Sequence, residues 1–433
     1  MVLDWLGQGF VALTLLGCAA GAVVILAQLY LLARYLALRP GALALEARRL
    51  AFPLPADDAL PHVVVQIPVY NEGVIVERAV ASAAQLDWPR GRLHIQVCDD
   101  STDETTALAH AAAERACADG IDVVVLRRPD RSGFKAGNLK NAMAQTIHDY
   151  FVIFDVDFVP PRDFLRRCMK VMLAEPDLGF VQARIDFLNS GESALTRAQT
   201  IVLDYHYGFE QATRSWANQL LPFNGACGIW RRAAIEAAGG WDGDTLLEDW
   251  DLSYRAWMRG WRGTFVMSVT ARCELPVDPG AWMAQQRRWA SGSGEVALKM
   301  LPTFGGIRNL SQREYWAALT PLGMMLAYSV FPATIIAAIA ALLLRPSMGL
   351  VLGLALYVLF VSSAVVFSTI AFIVNRTVRR NTPFLRFVLD QPIVWMLTSY
   401  IAWANLRCLP GTLLRRRRTF VRTPKRGSIP DLP

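Results

Sequence analysis

The sequence predicts an α/β domain with a parallel-rich sheet, inserted between helices that cross a membrane. Three observations carry that prediction. Uncharged apolar runs occupy both ends of the 433 residues, and about 20 such residues, rising ~1.5 Å each, span a hydrocarbon core. Between them, from residue 51 to 310, short apolar runs alternate with helix-like stretches, the pattern of strands joined by crossover helices. Several of those runs end in clustered acids, which places a ligand site along the strand C-termini. With 53% hydrophobic and 19% charged residues, the whole is apolar for a soluble domain, and 13 tryptophans suit sugar stacking or a membrane interface.

Residues 10–36 carry no charge before Arg34. No Lys or Arg precedes this run and it continues well past Leu15-Leu16-Gly17-Cys18, so it reads as a retained spanning helix, not a cleaved signal. Residues 317–344 and 348–374 are two further spans. Residues 387–403 are less simple, because Asp390, Gln391 and Pro392 lie within them and an unpaired acid at mid-membrane costs about 3 kcal/mol. Arg34 and Arg39 place the middle domain in the cytosol, and Arg376, Arg379, Arg380 and Arg386 place the loop before the last segment there too. The tail, with Arg415, Arg416, Arg417, Arg418, Arg422, Lys425 and Arg426, belongs on the same side against anionic lipid. One crossing cannot satisfy both flanks, so the last segment is re-entrant, broken near Pro392, or lying in the interface. The expected divisions are a first helix at 1–48, a cytosolic domain at 49–280, interfacial helices at 281–314, membrane segments at 315–414 and a basic tail at 415–433.

The net charge of +7 owes much to that tail, and the middle domain lacks a basic stripe with interleaved aromatics, which excludes nucleic acid as a partner. Seven scattered cysteines with no C-x-x-C pair argue against both a disulfide framework and a zinc site, and point to a reducing compartment.

Residues 62–68 read as a first strand, followed by the turn Val69-Tyr70-Asn71-Glu72. A second, 93–98, ends at Asp99-Asp100-Ser101-Thr102-Asp103, where Ser and Thr suit a helix N-cap. Residues 123–126 are a third strand, and 150–154 a fourth that ends at Asp155-Val156-Asp157. Asp155 and Asp157 flank one residue at a strand end and can face one divalent cation, for which oxygen ligands favour Mg²⁺ or Mn²⁺. Such a pair is common on surface loops; Asp99 and Asp100 at a neighbouring strand end strengthen it, since two acidic ends on one cleft are expensive without a cation. Either Asp99 or Asp100 suits a nucleotide base or ribose, with helix capping by Asp100 as the competing use. In Ser132-Gly133-Phe134-Lys135-Ala136-Gly137-Asn138, flexible backbone and a mobile ammonium suit a diphosphate, and the absence of G-x-x-x-x-G-K-S/T excludes a P-loop. Leu247-Glu248-Asp249-Trp250-Asp251 puts acids at a helix start, where they also complement the helix dipole. In Gln285-Gln286-Arg287-Arg288-Trp289, Arg288 suits a diphosphate clamp and Trp289 a sugar platform, on what also reads as an amphipathic interfacial helix.

Taken in order, these motifs resemble glycosyltransferase family 2, in particular its membrane polysaccharide synthases: the cellulose-synthase-like glucomannan enzymes of plants and the bacterial cellulose, curdlan and cyclic-glucan synthases. The resemblance covers residues 62–293 and returns at 420–427. It implies a cytosolic glycosyltransferase A-type nucleotide-sugar domain in an integral membrane protein, using Mg²⁺ or Mn²⁺. On the donor side it implies Tyr70 near the base, Asp99 or Asp100 and Glu72 beside it, and Lys135, Arg288 and a metal on Asp157 and Asp155 at the diphosphate. Asp249 is implied as the general base of a single inverting displacement, and Gln285, Trp289, Glu248 and Cys227 as the acceptor side. The family's T-E-D reads Leu247-Glu248-Asp249 here, so the Thr is missing. The implied partners are a UDP- or GDP-sugar, a polysaccharide or lipid acceptor, and the bilayer. Single addition to a membrane lipid shares all these motifs; an inactive scaffold does not fit the intact carboxylates, Lys135 and Arg288.

Replacing Asp157 by Ala should weaken donor binding and lower turnover by about 100-fold or more, since a metal at the departing diphosphate is worth several kcal/mol. The response to added Mg²⁺ or Mn²⁺ should vanish with it. Full activity of the unmodified protein in excess chelator would contradict the metal assignment.

Overall fold

The computed structural model describes residues 2–304, 311–414 and 427. Seven strands form its centre: β1 (Val63–Val69), β2 (Leu93–Asp99), β3 (Asp122–Arg127), β4 (Tyr150–Ile153), β5 (Leu178–Phe187), β6 (Gly228–Arg231) and β7 (Arg262–Cys273). They make one sheet in the order β3-β2-β1-β4-β6-β5-β7, in which only β6 opposes its neighbours. Val63, Val64, Val65 and Ile67 are all buried, so β1 shows no polar alternation, as expected of a parallel strand covered on both faces. The first four strands match the sequence expectation. The last three escape it because β5 buries Gln182 and Arg184 in its middle, β6 has four residues, and β7 is interrupted by polar positions such as Thr264 and Ser268.

The connections before β5 are α2 (Ile75–Ala84), α3 (Thr105–Ala118), α4 (Phe134–Met143) and α5 (Phe164–Ala174). After β5 come α6 (Ala194–Tyr205), a π-helical turn at His206–Gln211, α7 (Ala212–Trp216), α8 (Arg232–Ala237) and α9 (Glu248–Met258). This core is preceded by α1 (Val2–Leu50) and followed by α10 (Pro279–Phe304), α11 (Gln312–Leu322), α12 (Met324–Leu344), α13 (Gly349–Thr377) and α14 (Phe384–Leu413).

Three of these helices are long and apolar enough to cross a membrane: α1, α12 over Met325–Leu344, and α13. The span expected at 317–344 is shorter than predicted, because the chain breaks at Gly323, behind Pro321, and residues 317–322 belong to α11. The last segment is neither re-entrant nor broken: α14 runs unbroken through Pro392 and packs on α6, α10 and α12. Its Asp390 is buried but answered by Arg197, 3.1 Å away, and by Arg386 at 3.6 Å, which removes the cost of an unpaired acid. Asp4 at the start of α1 meets Arg345, in the turn between α12 and α13, at 3.1 Å, so those ends lie together. At the other end Arg380, just past α13, pairs with Asp204 and Asp186 of the sheet domain at 2.8 and 2.5 Å. Among the described residues α14 is not one of the candidate spans. The tail itself lies outside the described residues except Gly427, whose N–H donates to Glu274 at 3.3 Å. The stretch 305–310 of the expected interfacial segment lies outside them too.

Arg380→Ala would remove the cation that pairs with both Asp204 and Asp186, leaving them only the field of buried Arg184. A loss of about 3–5 kcal/mol, the usual result of breaking a buried pair, is expected in thermal unfolding of the detergent-solubilised protein. Arg380→Lys should recover part of it. An unchanged midpoint in the Ala variant would show that this joint does not hold the domain to the helices.

Candidate active site

The site begins where β4 ends. Lys135, in the first turn of α4, donates to Asp155 at 2.5 Å and to the Gly225 carbonyl at 2.9 Å, with Glu248 at 3.9 Å. The glycines around it serve a tight turn, not the flexible loop expected. Gly133 has φ +66°, in the left-handed region, and a Cβ on Gly137 would run into the Ser132 carbonyl. The ammonium is therefore aimed by a helix and is not mobile. Asp155 stays half exposed at the cleft, whereas Asp157 is buried and accepts the Glu274 N–H at 3.0 Å, tying the strand end to the segment after β7.

Glu248 and Asp249 head α9, and Asp249 is buried. Leu247, in place of the expected Thr, packs against Gly292 of α10, where a Cβ would come within 2.5 Å of its Cγ; the substitution joins the two helices and leaves the acids where they are. Burial, then the neighbouring Glu248, pushes the Asp249 carboxyl well above the ordinary carboxylate range, with Lys135 acting against both. Burial raises Glu248 too. On Lys135 burial works the other way, but Asp155, Glu248 and Asp249 together outweigh it and hold the ammonium charged. Burial lowers Arg288, opposed by the same three carboxylates, which places its guanidinium in their field. Lys135 and Arg288 thus share the field of Asp155, Glu248 and Asp249. Hard oxygen donors at Asp155 and Asp157 fit Mg²⁺ or Mn²⁺, which are held by one or two carboxylates plus substrate phosphates. Asp251, the nearest rival for Asp249, is buried in pairs with Arg255 at 2.5 Å and Lys299 at 3.0 Å.

At the far end of the cleft, Asp99 accepts from Thr106 at 2.7 Å and from the Ser101 N–H at 2.9 Å, and Asp100 takes a two-pronged bond from Arg128 at 2.7 and 2.6 Å. The N-cap expected of Ser101 or Thr102 is not made, since α3 starts later, at Thr105. Both residues bond to Asn71 instead, stitching the loop after β1 to the loop after β2, and Asp100 caps nothing. Tyr70 lies under the Arg131 guanidinium, 3.3 Å from its ring centre, with half-buried Glu72 two residues on.

Beside Asp249 opens a cavity of about 400 Å³ that reaches in among the apolar helices. Its inner wall includes Asp249, Asn224, His206, Trp282, Gln286 and Trp289; its far walls come from Val24, Ile25 and Gln28 of α1, Tyr328 and Phe331 of α12, Phe360 of α13 and Trp395 of α14. The fold therefore brings Asp249 and Trp289 together. Gln285 is not part of the lining, and Gln286 is. Cys227, expected on the acceptor side, is fully buried, its thiol on the Arg184 carbonyl at 3.8 Å and pushed by burial up to about 12, so its side chain does not reach the cavity. The lining residues missed in the sequence had partial signals. Trp282, Gln286 and Trp289 are spaced by four and three, one face of a helix. Gln28 is one of few polar residues in an apolar run and accepts from Tyr205 at 2.7 Å. His206 had none, because its position depends on the π-helical turn.

A family model described as "Glycosyltransferase like family 2" matches residues 61–292. The chain is 41% identical over 260 residues to glucomannan 4-beta-mannosyltransferase 2 of Arabidopsis thaliana, covering 59% of this chain and 48% of the relative. It is 37% identical over 263 residues to glucomannan 4-beta-mannosyltransferase 7 of the same plant, covering 60% and 47%. The chain spans about half the length of the curated relatives it matches. The mannosyltransferase PcManGT of Pyrobaculum calidifontis, solved in complex with GDP-Man and Mn²⁺, has the same fold with a TM-score of 0.63, at 19% identity over 95% of this chain and 100% of that one.

Because burial favours the neutral acid, the Asp249–Glu248 pair should keep a proton through the ordinary carboxylate range and lose it only as pH rises further. Infrared titration of the purified protein should show a protonated carboxyl still present near about pH 6, and Asp249→Asn should remove it. The same variant should lower sugar transfer by about 100-fold or more while leaving nucleoside diphosphate affinity nearly unchanged. A carboxyl that ionises near about pH 4 would show the site to be fully solvated.

Proposed function

The chain belongs to glycosyltransferase-like family 2, and from that premise we propose that it transfers a hexosyl unit, with inversion, from an α-linked nucleotide sugar to a growing β-linked polysaccharide at the membrane. The observation that carries the reading is the shared cavity: Asp249 and the Trp289 ring open onto one space that continues between membrane-type helices. Similarity to two glucomannan mannosyltransferases supports a mannosyl donor and a β-mannan or related product.

Asp249 accepts the proton of an acceptor hydroxyl, whose oxygen forms a bond to the anomeric carbon on the face opposite the diphosphate. The anomeric carbon–oxygen bond to the diphosphate breaks in the same step, so configuration inverts and no sugar–protein bond forms. A raised carboxyl is a stronger base than an exposed one, which suits it to a hydroxyl proton that loosens only in the transition state. Lys135 and Arg288 stabilise the charge gathering on the departing diphosphate. Asp155 and Asp157 would hold Mg²⁺ or Mn²⁺, whose contribution when bound is further neutralisation at that diphosphate. Trp289 offers an apolar ring face to successive β-sugars without a fixed hydrogen-bond code, which suits a chain that advances by one unit.

A second reading has its own support. A further apolar cleft, bounded by Cys18, Ala22, Leu350 and Leu354, shares Ile25 and Leu359 with the main cavity. It gives an acyl chain a lateral route to the site, which favours single addition to a membrane lipid.

Size separation and solvent partition of the products from radiolabelled GDP-mannose or UDP-glucose distinguish the two. A polymer is expected, and Trp289→Ala should shorten it or stop elongation more than it impairs donor hydrolysis. Label extracted into organic solvent as one sugar on one lipid, with nothing longer, would overturn the synthase reading.

A further inference from the structure

At the edge of the sheet opposite the acidic cleft, three histidines far apart in sequence come together. His62 precedes β1, His94 is the second residue of β2, and His148 lies two residues before β4. They are neighbours because β1 lies between β2 and β4, with Val64 in register with His94 and Val63 with Tyr150. The His62 Nδ1 stands 2.8 Å from the His94 Nε2, and the His148 ring stacks on His62 and His94 with centres 4.7 and 4.2 Å away. One ring nitrogen from each lies within 4.8 Å of the other two.

Asp122, the first residue of β3, accepts from the His94 Nδ1 at 2.6 Å. That bond puts the ring proton on Nδ1 and leaves the lone pair of Nε2 facing the other imidazoles, the carboxylate–histidine arrangement that orients metal-binding histidines. Arg92 and Arg232 lie near His62 and His148 respectively. The two arginines do not compete for the centre of the cluster, since Arg92 donates to the Leu60 carbonyl and Arg232 to the His148 and Thr146 carbonyls.

We propose that His62, His94 and His148 form a second cation site, for a zinc-class ion, which clasps the leading ends of β1, β2 and β4. The donor set decides the class. Imidazole nitrogens suit Zn²⁺, Co²⁺, Ni²⁺ and Cu²⁺, whereas Mg²⁺ and Mn²⁺ prefer the oxygens of the acidic cleft. Ligand nitrogens about 2.0–2.1 Å from a tetrahedral ion are about 3.3 Å apart, within the spacing the cluster already has, and the stacked rings, now nearly parallel, turn about their side-chain bonds at the solvent boundary to bring their lone pairs onto one ion. Three protein ligands leave a fourth position for water. The absence of paired cysteines, which argued against zinc in the sequence, does not bear on a site built from histidines that only the sheet assembles.

The test uses the full chain in detergent, stripped with chelator and then held in excess Mg²⁺ to satisfy the acidic cleft. Titration with Co²⁺ should give the visible absorption of a nitrogen-ligated ion, saturating at one equivalent and displaced by Zn²⁺. His94→Gln and His148→Ala should each abolish it, Asp122→Asn should weaken binding about 10–100-fold, and Asp157→Ala should leave it intact. Zn²⁺ should also raise the unfolding midpoint of the unmodified chain but not of the histidine variants. No cobalt absorption in the unmodified chain, the same absorption in both histidine variants, or its loss in Asp157→Ala would overturn the proposal.

Discussion

Asp155 and Asp157 from the end of β4 and Glu248 and Asp249 from the start of α9 converge on one cleft, where Lys135 and Arg288 lie in the field of Asp155, Glu248 and Asp249, and much of the architecture follows from holding that arrangement together. Like charges in a partly dehydrated space repel strongly, and nothing local in any one segment offsets the cost. The offset comes from rigid placement. The two strand-end aspartates are fixed by β4 and by the Glu274 N–H, the α9 pair by Leu247 packed on α10, and Lys135 by a glycine turn that cannot accept side chains. What is left is a strongly acidic site whose lysine is already committed to Asp155. The proton affinity of Asp249 follows first from its burial and then from the neighbouring Glu248.

A site this dependent on placement must not move relative to the membrane. The joints between sheet domain and helices are buried and polar, not merely greasy. Arg380 ties the end of α13 to Asp186 and Asp204, and Arg197 of α6 holds Asp390 of α14. Glu46, near the end of α1, accepts the Met267 and Ser268 N–H groups of β7 at 2.8 and 2.9 Å. Each joint would be costly to break and unfavourable to leave half-made, so register between cleft and cavity is set to within a hydrogen bond. The mouth of the cavity then sits where α10 carries Trp282, Gln286 and Trp289 past Asp249.

Much of this was legible in the chain, for identifiable reasons. The first four strands are short apolar runs ended by acids, a pattern written in contiguous residues. Asp155 and Lys135 could be named because a metal-bound diphosphate suits those types, and Asp249 because Leu247-Glu248-Asp249 resembles the family's T-E-D; the fold does gather the three. What could not be read depends on three-dimensional partners. The turn around Gly133 looks flexible until the Ser132 carbonyl closes on Gly137. Ser101 looks like a cap until Asn71 takes its hydroxyl. Cys227 looks adjacent to the acceptor until its thiol turns to Arg184. Asp390 looks like a reason to break α14 until Arg197 arrives from a helix distant in sequence.

The proposed transfer is a single displacement at one carbon, with Asp249 as base and the diphosphate leaving from the opposite face. Its most direct test is the configuration of the new bond. Purified protein given GDP-mannose labelled with ¹³C at the anomeric carbon should yield a product whose new linkage is β by the one-bond carbon–proton coupling in NMR. An α-linked product would mean retention, and with it a different mechanism and a different role for every carboxylate in the cleft.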